Sequence, residues 1–406
     1  MQKSDLIAII SSQRQNLLAI DKGINRESLL QIDLDMPLAL IISGVRRCGK
    51  STLLHQLMER IDDFYYFNFE DPRLAGFTPN DFQLLDDTLL ELYGDCSHYF
   101  LDEVQNVQGW EIFVRSRLDR GKHFVITGSN ASLLSTELGT RLTGRHLRHE
   151  LYPFSYAEML RFTGEEPGVN SFSEYLVNGG FPEFLRLQRL DVLQQLFDDI
   201  VTRDVIVRYK LRSAKQVISM ATYLISNAGN EFSYTRLKNT FKLGSTNTAI
   251  DHVAYLEDAY LLLVVPRFDY SYQKQLIAPK KVYAIDTGLA AAVSTSFSSD
   301  SGRVLENVVF LQLKRSFKEI LYYKEEFECD FLIKEKNAII KAIQVCHDFS
   351  TSSCQREVDG LVAALDKFKL DRGLIITFDN EDEIQDRGKR ISVMPAWKWI
   401  MSSRYP

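Results

Sequence analysis

Leu38-Ala39-Leu40-Ile41-Ile42-Ser43 runs directly into Gly44-Val45-Arg46-Arg47-Cys48-Gly49-Lys50-Ser51-Thr52, and this stretch decides the fold. Its second half fits G-x-x-x-x-G-K-[ST] without deviation. The glycines let backbone N–H groups curl around phosphate oxygens, and the helix that follows offers its positive N-terminal end. The setting is the one the chemistry needs: an apolar strand precedes the loop, and Leu53, Leu54 and Leu57 follow on one helical face. Lys50 is expected to reach the β and γ phosphates of a nucleoside triphosphate, and the Ser51 hydroxyl to ligate Mg²⁺. Gly44 to Thr52 is therefore the candidate nucleotide-binding loop, with ATP and Mg²⁺ as its expected ligands.

Outward from this loop, short apolar runs alternate with helical stretches. Strands are expected at Leu38–Ser43, Phe64–Phe69, His98–Asp102, His123–Thr127 and His146–Leu151, and helices at 50–60, 80–93, 109–120 and 131–142. Such alternation implies a parallel sheet covered on both faces. Tyr99-Phe100-Leu101 ends in Asp102-Glu103. Asp102 is placed to hold Mg²⁺ through water, and Glu103 to polarise an attacking water. No N-K-x-D motif for reading guanine occurs, which favours ATP over GTP. The strand His123–Thr127 leads to Gly128-Ser129-Asn130. Asn130 is the candidate for orienting water, with Ser129 and Thr127 as alternatives, and Asn130 equally suits the N-cap of the next helix. Arg141 and Arg145 precede the fifth strand, too far along to serve their own γ phosphate. Either is a candidate finger for a neighbouring subunit's nucleotide, or else a surface arginine in an ordinary ion pair. Glu70-Asp71 ends the second strand, either facing the same site or simply solvated.

The chain has 406 residues, 45% hydrophobic and 25% charged, which excludes disordered, collagen-like and mucin-like classes. At about 150 residues per domain, this length suggests two or three domains. A net charge of −6 gives no global field for nucleic acid, so such binding needs a local patch. The longest apolar runs fall far short of a bilayer span, and no signal-peptide core is present, so no membrane association and a cytoplasmic location are expected. Five scattered cysteines without a C-x-x-C pair indicate neither a disulfide framework nor a zinc site.

Taken in order, the loop, Asp102-Glu103, the Ser129-Asn130 tip and Arg145 resemble an AAA-type ATPase. More narrowly, they resemble a prokaryotic group that carries a C-terminal domain of unknown function. The resemblance continues through Asn68-Phe69-Glu70-Asp71, Pro153-Phe154-Ser155, Gly179-Gly180-Phe181-Pro182-Glu183, Tyr283-Ala284-Ile285-Asp286, Glu306-Asn307 and Cys329-Asp330-Phe331. It implies an α/β chain with an AAA-like P-loop NTPase domain at 1–152. A helical lid and winged-helix-like region at 153–293 and a PD-(D/E)xK nuclease-like domain at 302–406 would follow. The implied second helix of the winged helix, Thr246–Asp258, offers Asn247, Thr248, Asp251 and His252, poor groove-reading chemistry. A basic run, Arg203, Arg208, Lys210, Arg212 and Lys215, is a possible backbone-contact patch. In the implied nuclease core, Glu306 and Asp330 remain, but Gln344 replaces an acid and Cys346 the lysine. Lys341 has the wrong parity for that face.

The leading expectation is a Mg²⁺-dependent ATPase that acts as a homo-oligomer when nucleotide is bound, with hydrolysis rearranging C-terminal DNA- or protein-binding modules. The rivals are an ATP-gated adaptor with little turnover and an ATP-controlled nuclease.

Overall fold

Ala39–Gly44 (β1) is apolar on both faces, and every one of its residues is buried, as a parallel strand covered by helices on both sides requires. The computed structural model describes residues 1–128, 142, 144–294, 300–349 and 354–402, in two units, Met1–Tyr152 and Pro153–Pro406.

In the first unit β1 is joined by Phe64–Asn68 (β2), His98–Asp102 (β3), His123–Gly128 (β4) and His146–Leu151 (β5). The sheet order is β2-β3-β4-β1-β5, and all pairs are parallel. All five strands lie where the apolar runs place them. The helices Lys3–Ala19 (α1), Lys50–Met58 (α2), Asp81–Tyr93 (α3) and Trp110–Leu118 (α4) accompany the sheet. Register explains part of its cohesion: Tyr65, Tyr99 and Phe124 are direct neighbours on successive strands. Their rings meet at 4.8 and 4.7 Å, and such pairs contribute roughly 0.5–1.5 kcal/mol each beyond area burial. Leu6, Ile9 and Ile10 of α1 are buried in the same core. The expected helix 131–142 lies largely outside the described residues.

The second unit begins with helices Tyr156–Thr163, Val169–Asn178, Pro182–Leu187 and Leu190–Asp199, the last running on through a π-helical stretch to Val207. The helix Ala214–Ser226 follows. The small antiparallel sheet β6-β8-β7 comprises Glu231–Phe232 (β6), Leu262–Pro266 (β7) and Lys280–Ala284 (β8), with helices Tyr234–Thr240 and Thr246–Asp258 between β6 and β7. A mixed six-stranded sheet completes the unit. It contains Glu319–Lys324 (β9), Glu328–Glu335 (β10), Ala338–Cys346 (β11), Arg372–Thr377 (β12), Asp382–Asp386 (β13) and Lys389–Pro395 (β14), in the order β13-β14-β12-β11-β10-β9. The apolar runs of the sequence point to strands at Cys329–Ile333, Ala338–Cys346 and Arg372–Thr377, which β10, β11 and β12 match, but not to β9, β13 or β14. β13 is charged and largely exposed, whereas β14 buries Ile391, Val393 and Pro395 at alternate positions, a short period-two signal that was passed over. The hairpin's other signal is the two-residue turn Arg387-Gly388, with φ 48° and 78°, the backbone of a type I′ turn.

Two of the family-like motifs lock together within this unit. The Asp286 carboxylate caps the helix Thr287–Val293 by accepting from the Leu289 N–H, and it also accepts from the Gly180 N–H at 2.6 Å. A Cβ at Gly179 would sit 2.2 Å from that carboxylate, so only glycine permits the approach.

Candidate functional site

The nucleotide loop leaves β1 with the backbone shape its glycines allow. A Cβ at Gly44 would fall 2.1 Å from the Leu151 carbonyl oxygen, and Gly49 has φ 97°, left-handed backbone that glycine adopts without strain. Arg47 is also left-handed, at φ 62°. The Lys50 ammonium donates to the carbonyls of Gly44 and Val45 at 3.1 and 3.0 Å. It has no carboxylate partner within ion-pair distance among the described residues. A residue outside the motif braces the loop: buried Arg26 donates from Nη1 to the Cys48 carbonyl at 2.8 Å and from Nη2 to the Tyr152 carbonyl at 2.7 Å.

At the head of α2, the Ser51 hydroxyl lies 3.2 Å from Asp102 Oδ1. Hydroxyl and carboxylate are hard oxygen donors, the set Mg²⁺ takes. Thr127, at the tip of β4, donates its hydroxyl to Asp102 and accepts from the Glu103 N–H at 3.1 Å. One side chain thus fixes both acids. Burial pushes the Asp102 carboxyl above its ordinary value, against the hydrogen bonds from Thr127 and Ser51. Burial also raises Glu103, with Lys50 opposing and Asp102 adding to the rise. Glu103 itself is left-handed, with φ 50° and ψ 41°, and Gln105 donates to its carboxylate.

Arg145 is half exposed and ion-paired with Asp119. Its carbonyl accepts from the Ala39 N–H, which puts it at the amino end of β1. That is the far end of the strand from Gly44, some five residues of about 3.3 Å rise each. Asn130, Ser129 and Arg141 lie outside the described residues. Asp71 is held by Arg73 and lowered to about 2 by that hydrogen bond, and it caps a short turn.

A second cluster of acids lines a cavity of about 860 Å³ in the second unit. Glu306 projects from the helix Ser301–Ser316, Glu328 and Asp330 from β10, and Gln344 from β11. Into them reaches Lys281 of β8, its ammonium 2.8 Å from Asp330, 2.9 Å from Glu306 and 2.9 Å from Glu328. The Tyr283 hydroxyl donates to Glu306 at 2.6 Å. Burial and the neighbouring Asp330 push Glu306 up to about 7. Burial alone would lower Lys281, but the surrounding acids raise it well above the usual lysine value. Gln344 accepts from the Asp330 N–H at 3.1 Å, and Val345 N–H donates to Asp330 Oδ2 at 3.0 Å. Cys346 is buried. Lys341 lies over the Phe317 ring at 5.0 Å, its parity keeping it off the acidic face. His252, expected to be available for groove reading, is buried at 7% exposure.

The family profile described as AAA domain matches residues 37–160, and one described as a domain of unknown function, DUF8612, matches residues 169–300. An uncharacterized protein of Methanocaldococcus jannaschii, MJ1544, is 33% identical over 413 aligned positions, covering 94% of this chain and 92% of that protein. The chain belongs to the MJ1544 family. An uncharacterized Haemophilus influenzae protein is 28% identical, covering 92% of this chain and 98% of its own. Among solved structures, the Walker-type ATPase PABY2304 of Pyrococcus abyssi aligns with TM-score 0.44 and 15% identity, over 66% of this chain and 94% of its own. AMPPCP-bound DnaA from Aquifex aeolicus aligns with TM-score 0.27 and 15% identity, over 57% and 84%. Residues 37–160 of this MJ1544-family protein form an AAA-type P-loop ATPase domain. None of its described helices is long and apolar enough to cross a membrane.

Two residues of this family member escaped the sequence reading. Arg26 works through backbone carbonyls, which leave no trace in a motif. Lys281 does carry a signal: with Tyr283 it occupies alternate positions of a short strand, both buried, beside half-exposed Lys280.

Proposed function

We propose that the protein is a Mg²⁺-dependent ATPase whose nucleotide cycle drives rearrangement of DNA- or protein-binding modules in residues 153–406. The observation that carries this reading is the juxtaposition of Ser51 and Asp102 at 3.2 Å with Glu103 fixed beside them by Thr127. Ser51 and Asp102 would hold Mg²⁺, which when bound neutralises charge on the phosphate oxygens. Lys50 exchanges its two loop carbonyls for the β and γ phosphates, placing a full charge there. Glu103, raised by burial toward the range of a working base, takes a proton from water as its oxygen attacks the γ phosphorus. The bond from that phosphorus to the bridging oxygen breaks, leaving ADP and phosphate. Arg145, remote from its own loop, is assigned to a neighbouring subunit's nucleotide, so a cytoplasmic homo-oligomer forms with ATP. Phosphate release, measured with and without DNA, tests this. Glu103→Gln should keep ATP bound while lowering turnover by about 10²–10⁴-fold, the usual contribution of a general base. Wild-type turnover in that variant refutes the assignment.

For the tail we propose a nuclease-like scaffold that binds rather than cuts. The antiparallel run β9-β10-β11, followed by a helix and parallel β12, supports the scaffold, and the internal pairing of Lys281 supports its inactivity. The order β6, two helices, β7, β8 supports a winged helix, and buried His252 with exposed Asp251 favours a protein over a DNA groove as its contact. No nicking of single- or double-stranded DNA is expected with Mg²⁺ or Mn²⁺. Cleavage that disappears in Asp330→Ala overturns this reading.

A further inference from the structure

We propose that Asp35, His98 and His123 form a binding site for a divalent transition-metal ion of the zinc class, at the amino-terminal end of the parallel sheet. Two neighbouring strands, β3 and β4, each begin with histidine, and the register sets His98 directly beside His123. Their rings stack at 4.8 Å. Asp35 lies in the segment entering β1, and one ligand atom from each of the three residues falls within 4.8 Å of the others.

A second observation points to a ligand. His98 is only 6% exposed, and its Nε2 is sealed from solvent without a hydrogen bond of normal geometry. The nearest carboxylate oxygen, Oδ1 of Asp35, stands 3.5 Å away. A buried ring nitrogen with only this long contact is poorly satisfied, and a metal ion would satisfy it. Ligands on a tetrahedral zinc, at 2.0–2.1 Å from the ion, stand about 3.3–3.5 Å apart, which the His98–Asp35 separation already matches.

The rings are stacked at 20° and must turn for one ion to lie in both ring planes, but each already has a hydrogen-bonding group at its other nitrogen. His123 Nδ1 lies 3.1 Å from the Met36 carbonyl, which only accepts, so Nδ1 carries the proton and Nε2 keeps its lone pair. His98 Nδ1 lies 2.8 Å from Ser97 Oγ, and donation to that oxygen frees its Nε2 in the same way. Metal-bound histidines are held by this kind of outer hydrogen bond. Two imidazoles and one carboxylate select Zn²⁺, Co²⁺ or Ni²⁺ over Mg²⁺, whereas Ser51 and Asp102 offer oxygen alone. The Asp35 side chain is 83% exposed, which leaves a fourth position open to water. The ion would stitch the segment entering β1 to the starts of β3 and β4.

The test is Zn²⁺ titration of the chelator-treated full chain by calorimetry with Mg²⁺ in excess, alongside thermal melting with and without Zn²⁺. Wild type should bind one equivalent and melt higher with it. Losing an outer hydrogen bond costs a metal site about 10–100-fold in affinity. Removing a ligand, in Asp35→Asn or His123→Gln, should therefore cost at least 10-fold and abolish the melting shift, while Asp102→Asn retains both. Both substituted side chains are at least partly exposed, so metal-free melting near wild type shows that the variants fold. Zinc binding unchanged in Asp35→Asn and His123→Gln, or absent from wild type, overturns the proposal.

Discussion

The nucleotide loop and the acidic cavity of the second unit are built from the same parts, a lysine and clustered carboxylates, yet they use charge in opposite ways. Lys50 rests on two neutral carbonyls, so its charge remains available to an incoming phosphate. Lys281 is surrounded by Glu306, Glu328 and Asp330, so its charge is consumed inside the protein. A lysine that waits on weak acceptors is poised for an anion. One that is already saturated by acids does what a metal ion would otherwise do and leaves nothing over for a scissile phosphate.

The largest effect that distinguishes the two sites is expected from Lys50→Ala, which should abolish ATP binding or turnover, read by phosphate release. Arg145→Ala should keep nucleotide affinity and lose turnover, and mixing it with Lys50→Ala should restore part of the rate. No recovery in subunits shown to exchange removes the trans role of Arg145. Lys281→Met should act on stability instead. Leaving buried acids without their cation costs about 3–5 kcal/mol, and urea unfolding measures it. The deficit should shrink in acid, because Glu306, already raised to about 7, then carries a proton. A Lys281→Met protein as stable as wild type would mean that the acids do not need their cation.

The smallest effect concerns Asp286, whose carboxyl burial raises from 3.8 to about 6. Between those values the folded state keeps a proton that the unfolded chain has released. This stabilisation is therefore full below about pH 4 and lost as pH rises through about 6, at most roughly 3 kcal/mol across the window. Asp286→Asn should flatten that slope in urea unfolding between pH 4 and 7. An unchanged slope would assign the titration elsewhere.

Legibility tracked how local each piece of chemistry is. Gly44 to Thr52 was readable because consecutive residues carry the whole phosphate cradle, and Asp102-Glu103 because both end one apolar strand. Thr127 was read as a water-orienting alternative; that its hydroxyl also joins Asp102 and the Glu103 N–H was not legible, because the partners lie on another strand. The partners of Lys281 were not legible because they lie 25 to 49 residues away on other elements. The adjacency of His98 and His123 was not legible because strand register brings together two histidines that lie far apart in sequence. β9 was missed because Ile320 to Tyr323 is a short apolar run without alternation, between charged ends.

The Arg26 clamp has a mechanical side. A guanidinium is a flat, rigid fork, so the carbonyls of Cys48 and Tyr152 are held at a fixed spacing. Tyr152 is the last residue of the first unit, and the next, Pro153, starts the second. Arg26 thus ties the loop backbone at Cys48 to the last residue of the first unit, beside the Cys48 thiol's own contact with the Leu151 carbonyl.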